Sequence, residues 1–220
     1  FEKETSQAIR RLVTNNSIVI DIGANIGAHT LPMAKLVGKK GKVYAIEPTK
    51  YAYSKLTKNL LINKSLSKRV QSDQIMLINN DGKGKVKDLY SSWPLSVRSK
   101  DEKRHSVHQG VLRTISGAGE VTLDDYVSMN NITSLDLIKL DVDGNELEIL
   151  RGAKNVLKKM KTTLIMELAP EQYDDINDFY KVVKILTSMK YSFYSLDEKF
   201  TYPSEPHALI KHIPTNGSIN

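Results

Sequence analysis

Short β-branched runs alternate with amphipathic stretches along most of this chain, and that alternation restricts its fold more than any other feature. The run Ser17-Ile-Val-Ile-Asp21 is followed at once by glycines, as a buried strand would be. Further strands are expected at 42–47, 75–78, 137–141 and 163–167, with two final ones at 192–196 and 207–213. Helices are expected between them at 27–37, 50–63, 146–160 and 174–190. The last carries Ile176, Phe179, Tyr180 and Val183 at i, i+3, i+4 and i+7. Strand–helix alternation of this kind predicts an α/β fold, a doubly wound and mostly parallel sheet with helices on both faces.

The chain has 220 residues and no internal repeat, so it reads as a single domain. One stretch breaks the pattern. Residues 81–120 are polar and rich in Gly, Ser and charge, with strand fragments expected near 85–89 and 111–115. A long excursion inside a compact domain is usually functional, and it is expected here to be an insertion covering the substrate side. Within it lie Trp93 and Pro94, which suit stacking or plugging, and a basic run with His105 and His108 beside Arg98, Lys100, Lys103, Arg104 and Arg113.

Composition closes off several classes. No apolar run approaches the ~20 residues that span a bilayer, so no membrane span is expected. With zero cysteines there is no disulfide frame, thiolate nucleophile or Cys-ligated zinc, and a cytoplasmic location fits. Lys plus Arg exceed Asp plus Glu by 32 to 25, a net charge of +7. The lysines are scattered rather than clustered, which argues against a nucleic-acid footprint.

The chemistry concentrates in Asp21-Ile-Gly23-Ala24-Asn25-Ile-Gly27-Ala-His29-Thr30, between the first strand and the first helix. A doubly wound sheet binds its ligand at such a turn. The Gly-x-x-x-Gly spacing differs from the turn that holds a pyrophosphate, and no Gly-Lys-Ser/Thr follows, so dinucleotides and P-loop ligands are disfavoured. Asp21 suits a ligand with an ammonium group. Glu47, ending the second strand before Pro48, suits the hydroxyls of a ribose. An acid for an amino group, glycines for close approach and an acid for a ribose together describe S-adenosylmethionine.

These motifs resemble the FkbM family of S-adenosylmethionine-dependent methyltransferases. The likeness rests on 21–30, on Val-Tyr-Ala-Ile-Glu-Pro at 43–48, on Asn59 and Asn63, and on Val-Thr-Leu-Asp-Asp at 121–125. It rests above all on Leu-Asp-Leu-Ile-Lys-Leu-Asp-Val-Asp-Gly-Asn-Glu-Leu-Glu-Ile-Leu-Arg-Gly at 135–152. Asp143 stands where the family usually carries Glu, and Asn79 where it usually carries a small residue. The resemblance implies a seven-stranded class I methyltransferase sheet whose last strand is antiparallel. It also implies methyl transfer to a hydroxyl of a sugar, glycan or polar secondary metabolite. Cofactor contacts are then expected from Asp21, Gly23, Ala24, Asn25, Gly27, His29, Thr30, Glu47, Pro48, Asn79 and Asp141.

An alcohol acceptor must lose a proton, so a base is expected nearby. Asp141, Asp143 and Glu167 end the fourth and fifth strands and are the candidates, with Asp141 as the central carboxylate. The same residues could grip sugar hydroxyls or, alternatively, hold a divalent ion, although no metal is required for the transfer. Glu146 could complement the dipole of its helix. Two other readings compete. One is an RNA 2′-O-methyltransferase, disfavoured because Thr-Leu-Ile-Met-Glu at 163–167 lacks the lysine such an enzyme needs on a late strand. The other is a non-catalytic module that binds an adenosyl cofactor.

Overall fold

The computed structural model describes residues 2–79, 88–91, 111–215 and 217–219. Its centre is a parallel sheet of five strands: β1 (Ile18–Ile22), β2 (Lys42–Ile46), β3 (Val70–Asp73), β8 (Leu137–Leu140) and β9 (Thr163–Met166), in the order β3-β2-β1-β8-β9. Three two-stranded pieces flank it. β4 (Ile75–Leu77) pairs in parallel with β7 (Gly119–Val121), β5 (Asp88–Ser91) pairs antiparallel with β6 (Val111–Thr114), and β10 (Phe193–Tyr194) pairs antiparallel with β11 (Thr201–Tyr202).

Strand alternation sorts the sheet into two faces. Val19, Val43, Leu137 and Ile165 pack against Ala8 and Ile9 of α1 (Lys3–Leu12) and Met33 and Ala34 of α2 (Thr30–Leu36). Toward the carboxyl ends of the strands, α3 (Lys50–Ile62) seats Leu56 and Leu60 beside Ala24 and Ala45, and the single turn α4 (Lys64–Ser67) follows it. The opposite face, with Ile20, Ile46, Ile138 and Leu140, carries the larger core. That core is built from α5 (Leu123–Met129), α6 (Glu146–Arg151), α7 (Lys154–Met160) and α8 (Ile176–Ser188). The expected α/β sheet with helices on both faces is present.

Several details differ from expectation. The central sheet has five strands among the described residues rather than seven. The segment 75–78 was expected as its third strand. That place belongs to 70–73, and β4 pairs instead with β7. The segment expected as a strand at 207–213 is helical through His212: Pro206 starts α9 (Pro206–Leu209), Glu205 caps it by accepting from Ala208 N, and a 3₁₀ turn, Ile210–His212, continues it. The antiparallel partner near β9 is the bridge Leu168–Ile219, beside an open cleft along the outer edge of β9. The single helix expected over 146–160 breaks at Gly152, where a Cβ would lie 2.3 Å from the Ile78 carbonyl oxygen. Of the insertion expected at 81–120, the fragments near 85–89 and 111–115 appear as β5 and β6. Trp93, Pro94, Arg98, Lys100, Lys103, Arg104, His105 and His108 lie outside the described residues. Among the described residues no helix is long and apolar enough to cross a membrane.

Candidate active site

The turn after β1 is built by the chain for its own packing. Gly23 has φ +74°, and a Cβ there would stand 1.9 Å from the Asp141 carbonyl oxygen, so only glycine lets the turn seat on the end of β8. The amides of Gly23 and Ala24 both donate to the Ile46 carbonyl, 3.0 Å each, which closes the turn on β2. Asn59 from α3 holds the far side by donating to Ile26 O at 2.7 Å. The glycines expected to admit a ligand are thus required first by neighbouring protein: at Gly27, with φ +90°, an added Cβ would meet Leu56 at 2.8 Å.

Asp21 is fully buried at the end of β1. Its Oδ2 accepts from the Thr30 hydroxyl at 2.6 Å, while Oδ1 has no hydrogen-bond donor and faces Lys139 Nζ at 3.8 Å. Glu47 is 5% exposed and holds the turn by three hydrogen bonds. Oε2 accepts from Asn25 N at 2.9 Å, and Oε1 accepts from both the amide and the hydroxyl of Thr49. A carboxylate has about four acceptor positions, so Glu47 retains one, on Oε2, for a ribose hydroxyl. Burial raises its pKa, and the bonds from Thr49 and Asn25 oppose that rise. Pro48 lies between Glu47 and Thr49, and its carbonyl accepts from Gln74.

His29 is buried at the N-cap of α2 with Nε2 2.9 Å from Glu2 Oε2, which ties the segment before α1 to the turn. Asn79 is buried, and its amide donates to Glu148 Oε2 on α6.

β8 delivers the acidic part of the site. Lys139 and Asp21 are register partners on adjacent strands, and Lys139 Nζ reaches Asp141 Oδ2 at 2.9 Å. Burial pulls the lysine pKa down, but the charges of Asp141 and Asp21, the Asp141 hydrogen bond and Glu2 more than reverse this. Past Asp141 the chain turns through Asp143 and Gly144, both with positive φ (51° and 99°). A Cβ at Gly144 would sit 2.5 Å from Gln172 O, so this loop is packed against the 3₁₀ turn Pro170–Gln172.

That packing gathers the carboxylates. Oxygens of Asp141, Asp143 and Glu167 lie within 4.8 Å of one another. Gln172 Nε2 donates to Glu167 Oε2 at 3.1 Å and, at a long 3.5 Å, to Asp143 Oδ1. Behind them the buried Glu146 accepts from the Tyr173 hydroxyl at 2.6 Å and from Gly144 N. Burial, then Asp141, Glu167 and Glu146, push the Asp143 carboxyl up to about 8, with Lys139 opposing them. Such a cluster has the donors of a divalent-cation site, but at Asp141 Lys139 already brings the counter-charge an ion would supply.

The expected cofactor and carboxylate residues in the described region sit at the end of β1, on the turn that follows it as far as the start of α2, just after β2, or on the loops after β4, β8 and β9. Three residues of the site escaped the sequence reading as participants. Lys139 was assigned no role because its partner Asp21 lies on a strand distant in sequence. Gln172 and Tyr173 were passed over because nothing in the pattern after Pro170 marks them.

A family model described as the methyltransferase FkbM domain matches residues 21–193. The hexuronic acid methyltransferase AglP of Haloferax volcanii is 24% identical over 188 residues, covering 86% of this chain and 71% of that protein. The 2-O-methyltransferase NoeI of Sinorhizobium fredii is 26% identical over 164 residues, covering 70% of this chain and 65% of that protein. Among solved structures, a methyltransferase FkbM from Methylobacillus flagellatus superposes with a TM-score of 0.52 at 18% identity, over 85% of this chain and 42% of that one.

Proposed function

This chain belongs to the FkbM methyltransferase family, and from that premise we propose that it is an S-adenosylmethionine-dependent O-methyltransferase acting on a hydroxyl of a sugar, glycan or polar secondary metabolite. Family membership implies the cofactor, and the residues present fit it: an orphaned, buried Asp21 Oδ1 and one remaining acceptor position on Glu47 Oε2 lie on either side of the turn. A sulfonium cofactor supplies an electrophilic methyl carbon, so the protein's remaining tasks are to position the acceptor oxygen and take its proton. The printed names of the two curated relatives, one for hexuronic acid and one for a 2-O position, support a sugar acceptor. Reading 1–220 as one catalytic domain with its substrate-side insertion at 81–120, in the cytoplasm, belongs to the same proposal.

The observation that carries this reading is the gathering of Asp141, Asp143 and Glu167, whose oxygens lie within 4.8 Å of one another, where burial and the neighbouring acids push the Asp143 carboxyl up to about 8. A base works best with a pKa close to the operating pH. Asp141, committed to Lys139 at 2.9 Å, is the better electrostatic partner for a cationic cofactor. In this assignment Asp143 takes the acceptor proton, Glu167 and Gln172 orient the acceptor, and Asp21, Glu47 and Asp141 hold the cofactor. The test is transfer of labelled methyl from S-adenosylmethionine to uronic-acid and neutral glycans, with the products mapped by mass spectrometry. Methyl ethers confirm the reading. Methyl esters, or methylated RNA instead of glycan, overturn it.

A further inference from the structure

Lys139 is a cation enclosed in the protein beside a site for another cation. Its residue exposure is 3%, and its ammonium stands between the Asp141 carboxylate at 2.9 Å and Asp21 Oδ1 at 3.8 Å. Asp21 comes from β1 and Asp141 from the loop after β8. Glu2, ahead of α1, adds a third negative charge and is itself paired with His29. Oxygens of Asp143 and Glu167 lie within 4.8 Å of one of Asp141, and the Glu146 charge acts on the same group. Without Lys139, the negative charges of Asp21 and Asp141 would face each other without the ammonium between them.

We propose that Lys139 is a positioning residue that acts through Asp21 and Asp141, setting how strongly the site prefers a cationic sulfonium ligand over its neutral thioether product. The assignment rests on the cofactor reading above. The physical need is specific to this kind of chemistry. Positive charge on sulfur is lost as the methyl group leaves, so a site that is too negative stabilises the reactant more than the transition state and slows transfer. A buried ammonium beside the carboxylates offsets part of that field where the local dielectric is low and charge is felt strongly. It also fixes the Asp141 carboxylate by a charge-assisted hydrogen bond.

The test compares calorimetric titrations of S-adenosylmethionine and S-adenosylhomocysteine. Lys139→Met removes the charge and keeps most of the stem. In the folded variant the affinity ratio of sulfonium to thioether should rise about tenfold, with kcat falling and KM for the cofactor not rising. A residue needed only for packing would weaken both ligands alike, so an unchanged ratio overturns the proposal. Lys139→Arg keeps the charge and should keep the wild-type ratio. If Lys139→Met does not fold, Asp21→Asn reads the same balance with the opposite sign: the ratio should fall about tenfold, and an unchanged ratio overturns the proposal there too. Wild-type protein that binds neither ligand overturns the cofactor reading along with it. Binding by the wild type with no change in ratio overturns the Lys139 assignment alone.

Discussion

At the ends of β1 and β2, Asp21 and Glu47 have their charge met by the Thr30 hydroxyl, the Lys139 ammonium and the amides of Asn25 and Thr49. At the ends of β8 and β9, Asp143 and Glu167 crowd against Asp141 and Glu146 with the neutral amide of Gln172 between them. Both regions place carboxylates at strand ends, but the first is held by hydroxyls, amides and an ammonium, while in the second Asp143 meets mostly other acids. A carboxylate held by several donors keeps its geometry, which suits binding, and at Glu47 those donors oppose the rise that burial imposes. Asp143, crowded by other acids, holds its proton more tightly, which suits proton transfer.

The contrast breaks most sharply at Asp143. Asp143→Asn keeps the shape and removes the base, so turnover should fall by roughly 10²–10⁴-fold while cofactor affinity changes little. Turnover within threefold of wild type, measured with an identified acceptor, assigns the proton elsewhere. Next in size is Gly23→Ala. Positive φ and a Cβ 1.9 Å from Asp141 O should cost about 3 kcal/mol or more of stability, read by urea unfolding. A fully stable variant would mean that the turn does not seat on β8 as described.

Glu47→Gln puts an amide N–H₂ or a weaker acceptor where backbone donors point. About 2 kcal/mol should be lost from cofactor binding, together with measurable stability, because the residue serves turn and ligand at once. Loss of affinity with no loss of stability would show that the turn does not depend on it.

The acidic region also makes a pH prediction. Asp143 rises from an ordinary 3.8 to about 8 in the folded state, so between these values the unfolded chain gives up a proton that the native protein keeps. Stability is therefore fully present below about pH 4 and falls as pH climbs through 8. Asp143→Asn should flatten this slope, with its stability relative to wild type rising from pH 4 to pH 8 in denaturant titrations. Parallel pH profiles for the two proteins would contradict the raised carboxyl. The smallest effect is expected from Tyr173→Phe, which takes one donor from Glu146 but leaves Gly144 N, at about 1 kcal/mol of stability.

Much of the frame was legible because parallel strands buried on both faces are near-continuous apolar runs. Four of the five central strands stand within a residue or two of where the pattern put them. β3 was missed because Val70-Gln-Ser-Asp is a half-buried edge strand with a single apolar residue, and the more hydrophobic Ile75-Met-Leu drew the assignment. α1 escaped although Ala8, Ile9 and Val13 form a buried stripe, since four of its ten residues are charged. Residues 207–213 were misread because Ala208-Leu-Ile reads equally well as strand until the Glu205–Pro206 start is given its weight. At the site, the acids at the ends of strands were visible one by one. Their sorting into a donor-held pair and a crowded cluster was not, because it depends on Lys139 and Gln172, whose roles appear only when β1 meets β8 and the Pro170 turn folds over Gly144.

The register that sets Asp21 beside Lys139 joins strands 118 residues apart. Closing so long a loop is slow and comes with the global fold, since no local hairpin can bring the two halves of the crevice together early. A ligand that needs both halves finds its site only in molecules that have completed this pairing. Such a ligand should therefore leave the folding rate nearly untouched and lengthen the lifetime of the native state, acting as a latch on the finished structure rather than a template for its assembly.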